Sequence, residues 1–182
     1  MSPVENCRVR MKNAKEVEVL VLYDSGSDRS YCEEEWALKF VKEVFPITTP
    51  ITTKSIHGHS VISKAATVTI VFANRPCVDV TLLCLPSIGS FYPSQKIALP
   101  NAIKTRLNIT DSYFSVKGGT CKIILGMDNC YALFPRLVLA QDGWLIEKSQ
   151  ITGKYVCRAG PSENTEANKQ LSMLNKLSTI MS

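Results

Sequence analysis

The segment Glu16 to Tyr23, EVEVLVLY, is apolar at nearly every position after Glu18. A run without strict alternation predicts a strand buried on both faces or nearly so. Asp24-Ser25-Gly26 then breaks it. Ser30 with Glu33 fits a capping box, and Trp36, Phe40, Val41 and Val44 fall on one face of the helix that would follow, up to Pro46. That helix is expected to pack on the sheet. From Ile47 to Val71 the chain is β-branched and threonine-rich, interrupted once by His57-Gly58-His59-Ser60, which predicts a long hairpin with a glycine at its tip. A further strand over Cys77 to Leu85 is expected to pair with Ala66 to Phe72.

The pattern loosens between Pro86 and Gly119, where an inserted excursion with one short helix near Asn101 to Leu107 is expected. Order returns with a short buried strand ending in Gly126 and a turn of helix over Met127 to Phe134. A hairpin follows across Gln141-Asp142-Gly143, and a last strand covers Gly153 to Ala159. Beyond Gly160 the composition turns polar, with a short amphipathic helix expected around Leu171, Leu174 and Leu177. The chain therefore reads as an arm (1–15), an all-β domain with minor helices (16–160) and a linker or tail (161–182). Trp36 and Trp144 are expected as core anchors.

Composition fits one globular domain: 182 residues, 45% hydrophobic and 20% charged. Much of the net charge of +5 sits in Arg8, Arg10, Lys12 and Lys15. With no aromatic residue interleaved, this predicts a solvated arm and no nucleic-acid contact. Seven cysteines, an odd number without a C-x-x-C pair, point to a reducing compartment and small buried thiols. No apolar run is long enough for a signal peptide or a membrane span, so a cytoplasmic or particle-enclosed location without membrane contact is expected.

Three readings compete for Asp24. It suits a plain turn, it sits in a serine-rich stretch like a phosphorylation-dependent signal, and it can form half of a catalytic carboxylate pair. Arg29 occupies the second serine position that such a signal uses, and a buried strand end is a poor kinase substrate. His57 and His59 lie on the same side of an extended hairpin and could share a metal. No third ligand is evident, which favours an exposed turn, with no metal or cofactor expected.

Asp24-Ser25-Gly26 after an apolar strand, the Gly58-tipped hairpin, and Ile123-Ile124-Leu125-Gly126 followed by a short helix resemble the retropepsin-like aspartic peptidases. Within that group the string DSGSDRSYCEEEWALKF, and IILGMDNCYALF through AQDGWLIEKSQITGKYV, resemble the peptidase of Bel/Pao-type retrotransposons. The resemblance covers about Val17 to Gly160. It implies a closed β-barrel subunit in which Asp24 is catalytic. Ser25 and Gly26 would let two loops approach, and Ile124, Leu125 and Gly126 would back them. His57, Gly58 and His59 would belong to a flap that grips the substrate.

Asp-Ser-Gly occurs once, so the resemblance implies a homodimer with one Asp24 from each subunit, acting on a peptide or a retroelement polyprotein. A lone subunit is expected to expose an apolar face around Leu22, Ile124 and Leu125. Retroviral relatives carry an arginine where this chain has Met127, which leaves Asp28 to pair with Arg29 or with substrate. Tyr23 is bulkier than the family's aliphatic residue and, if buried, needs a hydrogen bond for its hydroxyl. The 86–119 segment is expected to cover the cleft or to join the dimer interface, as is the strand around Val156. The alternative is a non-cleaving dimerisation or peptide-binding module.

Overall fold

The computed structural model describes residues 3–55, 58–89, 91–110 and 113–161. The described residues are mostly β-sheet with two short α-helices. In chain order it runs β1 (Val4–Arg10), β2 (Glu16–Tyr23), β3 (Tyr31–Glu33), α1 (Glu34–Phe40), β4 (Glu43–Ser55), β5 (Gly58–Val71) and β6 (Val78–Leu85). The middle of the chain holds β7 (Phe91–Tyr92), β8 (Gln95–Ala98), α2 (Asn101–Leu107), β9 (Tyr113–Val116) and β10 (Gly119–Thr120). After β11 (Ile123–Leu125) and a 3-10 turn (Asn129–Leu133) come β12 (Arg136–Gln141), β13 (Trp144–Lys148) and β14 (Tyr155–Ala159).

The main sheet has seven strands in the order β1-β2-β11-β3-β6-β5-β4. β1 pairs with Glu16 to Leu22 of β2 and, through Arg8 to Arg10, also with Thr69 to Val71 of β5. The expected solvated arm is therefore a strand. Its sequence VENCRVR sets Glu5, Cys7 and Val9 on one buried face while Arg8 and Arg10 face solvent, and the charges at Glu5, Arg8 and Arg10 hide an alternation of period two. β5 and β6 pair from Ala65↔Leu83 to Ile70↔Val78, as the sequence suggests.

Helix α1 departs from expectation at both ends. Ser30 is not its cap: strand β3 intervenes, the capping position is Glu33, and Glu33 makes no side-chain capping bond. The helix stops at Phe40 because Val41 is already extended, and β4 then runs through Pro46 and Pro50. Proline lacks a ladder donor, which an edge strand tolerates, and β4 is the last strand of its sheet. Trp36 and Val41 are buried as expected, whereas Phe40 is exposed.

Two apolar clusters hold the protein. The first gathers Val19, Val21 and Tyr23 of β2, Val68 and Ile70 of β5, Leu82 of β6, and Ile123 and Leu125 of β11. The second packs Trp144 and Ile146 of β13 against Ile97, Leu99 and Ile103. α2, placed where the sequence predicts it, thus fastens the 86–119 segment to the three-stranded sheet β12-β13-β14. Val156 is also buried. The β12–β13 turn takes positive φ at Asp142 (51°) and Gly143 (83°), the backbone a two-residue hairpin loop requires. The helix expected around Leu171 to Leu177 lies outside the described residues.

Candidate active site

β11 lies between β2, to which it is parallel, and β3, to which it is antiparallel. The chain leaving β2 must therefore cross the end of β11 to start β3, and the crossing segment is 24–30. This topology sets the local chemistry. The Asp24 N–H donates to the Leu125 carbonyl at 2.9 Å, and the Met127 N–H donates to the Ser27 carbonyl at 2.7 Å. Gly126 lies directly under the crossing. A Cβ there would stand 2.1 Å from the Arg29 carbonyl oxygen and 2.8 Å from that of Ser27, so only glycine fits without moving backbone.

The Asp24 side chain is half-buried, and its Oδ1 accepts the Gly26 N–H at 2.9 Å. Its other carboxylate oxygen has no partner among the described residues. A Cβ on Gly26 would come within 3.2 Å of Oδ1, so glycine leaves room for the carboxylate to close over its own turn. Ser25 is exposed and its hydroxyl makes no hydrogen bond among the described residues. The Ser27 hydroxyl donates to the Arg29 carbonyl at 2.7 Å.

Ser30 and Asp128 hold the crossing down; Ser30 was expected as a helix cap and Asp128 had no expected role. Ser30 is 1% exposed. Its N–H donates to Asp128 Oδ2 at 2.8 Å and its hydroxyl donates to Oδ1 at 2.7 Å, while the same hydroxyl accepts the Gly126 N–H at 2.8 Å. Oδ1 of Asp128 also accepts the Cys130 N–H at 3.1 Å. A buried hydroxyl with both functions used costs about 1–3 kcal/mol to remove. The available signal was an Asp two residues after Gly126, in LGMD; the capping-box reading of Ser30 drew attention from it.

Ile124, Leu125 and Gly126 all lie beside this loop, but not as one exposed face. Leu125 is fully buried in the chain's own core, worth about 2–3 kcal/mol of burial, while Leu22 and Ile124 are half-buried. The expected apolar face of a lone subunit is thus reduced to part of two side chains. Asp28 and Arg29 are exposed and form no ion pair with each other. Met127, 44% exposed, reaches the loop through its backbone alone. Tyr23 is 2% exposed and its hydroxyl is hydrogen-bonded, as burial demands.

Asp24 opens into a cleft of about 760 Å³. Gly26, Ser27 and Asp28 extend its floor, Leu85 and Ile88 with Ile124 give it apolar walls, and Thr53, Lys54 and Ser60 of the β4–β5 hairpin form the opposite side. Thr53 and Ser60 are cross-strand partners, and pairing continues to Ser55↔Gly58. Gly58 has φ of +110°, and His59 is exposed. His57 lies outside the described residues. The cleft therefore brings together Asp24, Gly26 and Ile124 with the stem of the hairpin. No cluster of metal-ligating side chains occurs among the described residues, and none of their helices is long and apolar enough to cross a membrane. No protein-family model, curated protein or solved structure matches the chain.

Proposed function

We propose that the chain is one subunit of a homodimeric aspartic endopeptidase of retropepsin type. The observation that carries this reading is Asp24 itself: a carboxylate with one oxygen tied to its own turn and the other without a partner among the described residues, on a braced crossing in an open cleft. Peptide hydrolysis needs a water deprotonated by one carboxylate while a protonated carboxyl donates to the carbonyl oxygen and then to the leaving nitrogen. Two carboxyls about 3 Å apart share one proton and so supply both roles. One chain supplies one Asp24, and a two-fold axis supplies the second.

Further features support the reading. The return of β1 to β5 is what a closed barrel subunit requires, since it leaves β4 alone outside the cycle of pairings. Ser25, exposed and with no hydrogen bond from its hydroxyl among the described residues, is placed to reach a partner loop. Soon after β11 come the exposed side chains Met127, Tyr131, Leu137 and Val138, the last two on β12, an edge strand of its sheet. Apolar groups beside an edge strand give a second copy a surface to cover. The hairpin through Thr53 and Ser60 acts as the cover of the cleft, and its substrate is an extended peptide, by resemblance a retroelement polyprotein.

The test is wild type against Asp24→Asn on a peptide library, with sedimentation measured in parallel. Wild type should cut and the variant should lose at least about a thousandfold in rate while keeping its fold and dimer, because an amide replaces both acid and base. Equal cleavage by both proteins removes Asp24 from the chemistry. Binding of peptides without cleavage by wild type selects the peptide-binding module instead, and a monomer whose activity does not change on dilution defeats the shared site.

A further inference from the structure

Directly before Asp24, the Tyr23 side chain enters a polar cluster that the proposed chemistry does not use. Glu5, on β1, is 5% exposed. Its Oε1 accepts hydrogen bonds from the hydroxyls of Tyr23 and Ser149, and its Oε2 accepts one from Thr152 at 3.0 Å. Ser149, 4% exposed, also accepts the N–H groups of Ile151 at 3.1 Å and Thr152 at 3.0 Å. No Lys, Arg or His pairs with Glu5 among the described residues. An isolated carboxylate at that depth is costly, and it is tolerated here because hydroxyls fill its lone pairs. An apolar side chain would fill the same space at lower cost but could not fix three partners in direction.

What those directions fix is the chain next to Asp24. The Tyr23 ring meets Phe134 edge-on at 5.4 Å, the Tyr23 N–H donates to the Pro3 carbonyl at 2.9 Å, and Tyr23 is in register with Leu125. Tyr23 is therefore held at its hydroxyl, its ring and its backbone. The following residue has its N–H on the Leu125 carbonyl and its carboxylate in the cleft. We infer that Glu5 and Tyr23 are positioning residues for Asp24: the N-terminal strand, through a buried carboxylate and a tyrosine hydroxyl, sets the strand end from which the Asp24 carboxylate projects. The kinetic side of this inference rests on the peptidase reading; the structural side does not.

The experiment uses the full chain with Glu5→Gln, and Tyr23→Phe as a second variant that keeps the ring against Phe134. Amide hydrogen exchange is read at Gly26 and Ser27 in the crossing and at Ile146 in β13. Both variants should speed exchange at Gly26 and Ser27 by roughly tenfold while leaving Ile146 unchanged. Peptide cleavage should fall about ten- to a hundredfold in kcat with KM nearly constant, since a displaced reacting group loses rate rather than binding. Unchanged exchange in the crossing, or equal acceleration at Ile146, overturns the inference by showing a role in general stability alone. If wild type cuts nothing while the exchange pattern holds, the peptidase reading falls and the positioning of Asp24 stands.

Discussion

On one side of the cleft, the 24–30 crossing is fixed by backbone bonds to β11 on both flanks and by the Ser30–Asp128 pair beneath it. On the other, the β4–β5 hairpin projects Thr53, Lys54 and Ser60 from a strand at the edge of the sheet, held near its tip by its own ladder. Both sides carry a glycine, for different reasons. Gly126 is there because backbone passes within reach of any Cβ; Gly58 is there because the chain turns through a positive φ in open space. Rigidity in this protein is thus a matter of how many independent segments converge on a point. Three converge under Asp24 and one forms the hairpin.

The sharpest way to break the contrast is Gly126→Ala. Its Cβ would lie 2.1 Å from the Arg29 oxygen, and the obstacle is backbone rather than a side chain that can swing away. The crossing must lift, loosening the Ser30 bonds with it. A loss of about 3 kcal/mol in urea unfolding is expected, at the upper end for overpacking. A loss below about 1 kcal/mol would mean that the crossing is not tight and that the two sides of the cleft differ little.

Alkaline pH tests the floor from below. Cys121, just before β11, is fully buried, and burial pushes its thiol up to about 11 from an ordinary 9.0. Between those values the unfolded chain releases the proton and the folded chain keeps it. Stability is then whole below pH 9 and falls as pH rises toward 11, by about 2 kcal/mol for one such group. Cys157, also raised to about 11 by burial, adds a similar fall from the second cluster. The 43–71 hairpin contains no cysteine, so it adds no thiol to this dependence. Urea midpoints from pH 8 to 11 should therefore drop less in Cys121→Val than in wild type; parallel curves would place the sensitive thiols elsewhere.

How far the sequence foretold this contrast depends on whether a feature is local. The hairpin was legible because β-branched runs flanking a glycine form a local pattern, and so were β2, α2 and the turn at Asp142-Gly143. β1 was not legible because the solvent-facing Arg8 and Arg10, and the charge of the buried Glu5, mask the inward face of Cys7 and Val9. Ser30 was assigned to a helix cap on its spacing to Glu33, whereas its partner Asp128 is 98 residues away. No periodicity reports such a bond; it follows from β11 entering between β2 and β3. Asp24 stood out as a residue in sequence, but its brace is a property of topology.

Gly58→Ala should have the smallest effect, and it decides whether the hairpin is as loosely held as its geometry suggests. Nothing lies within 4 Å of the added Cβ, so no clash arises and no neighbour has to move. The whole cost is backbone strain, because φ of +110° suits glycine and is rarely adopted by alanine. Such strain amounts to about 1 kcal/mol when the surroundings hold the conformation. A hairpin that opens locally escapes part of it, since alanine relaxes by shifting the turn. Global stability should therefore fall by about 1 kcal/mol or less, with faster amide exchange confined to Thr53, Lys54, His59 and Ser60. Gly126→Ala, by contrast, should speed exchange across β2, β3 and β11. A loss at Gly58 as large as that at Gly126 would show the hairpin tip to be held as firmly as the crossing, and a cover that opens over Asp24 would then have to hinge elsewhere.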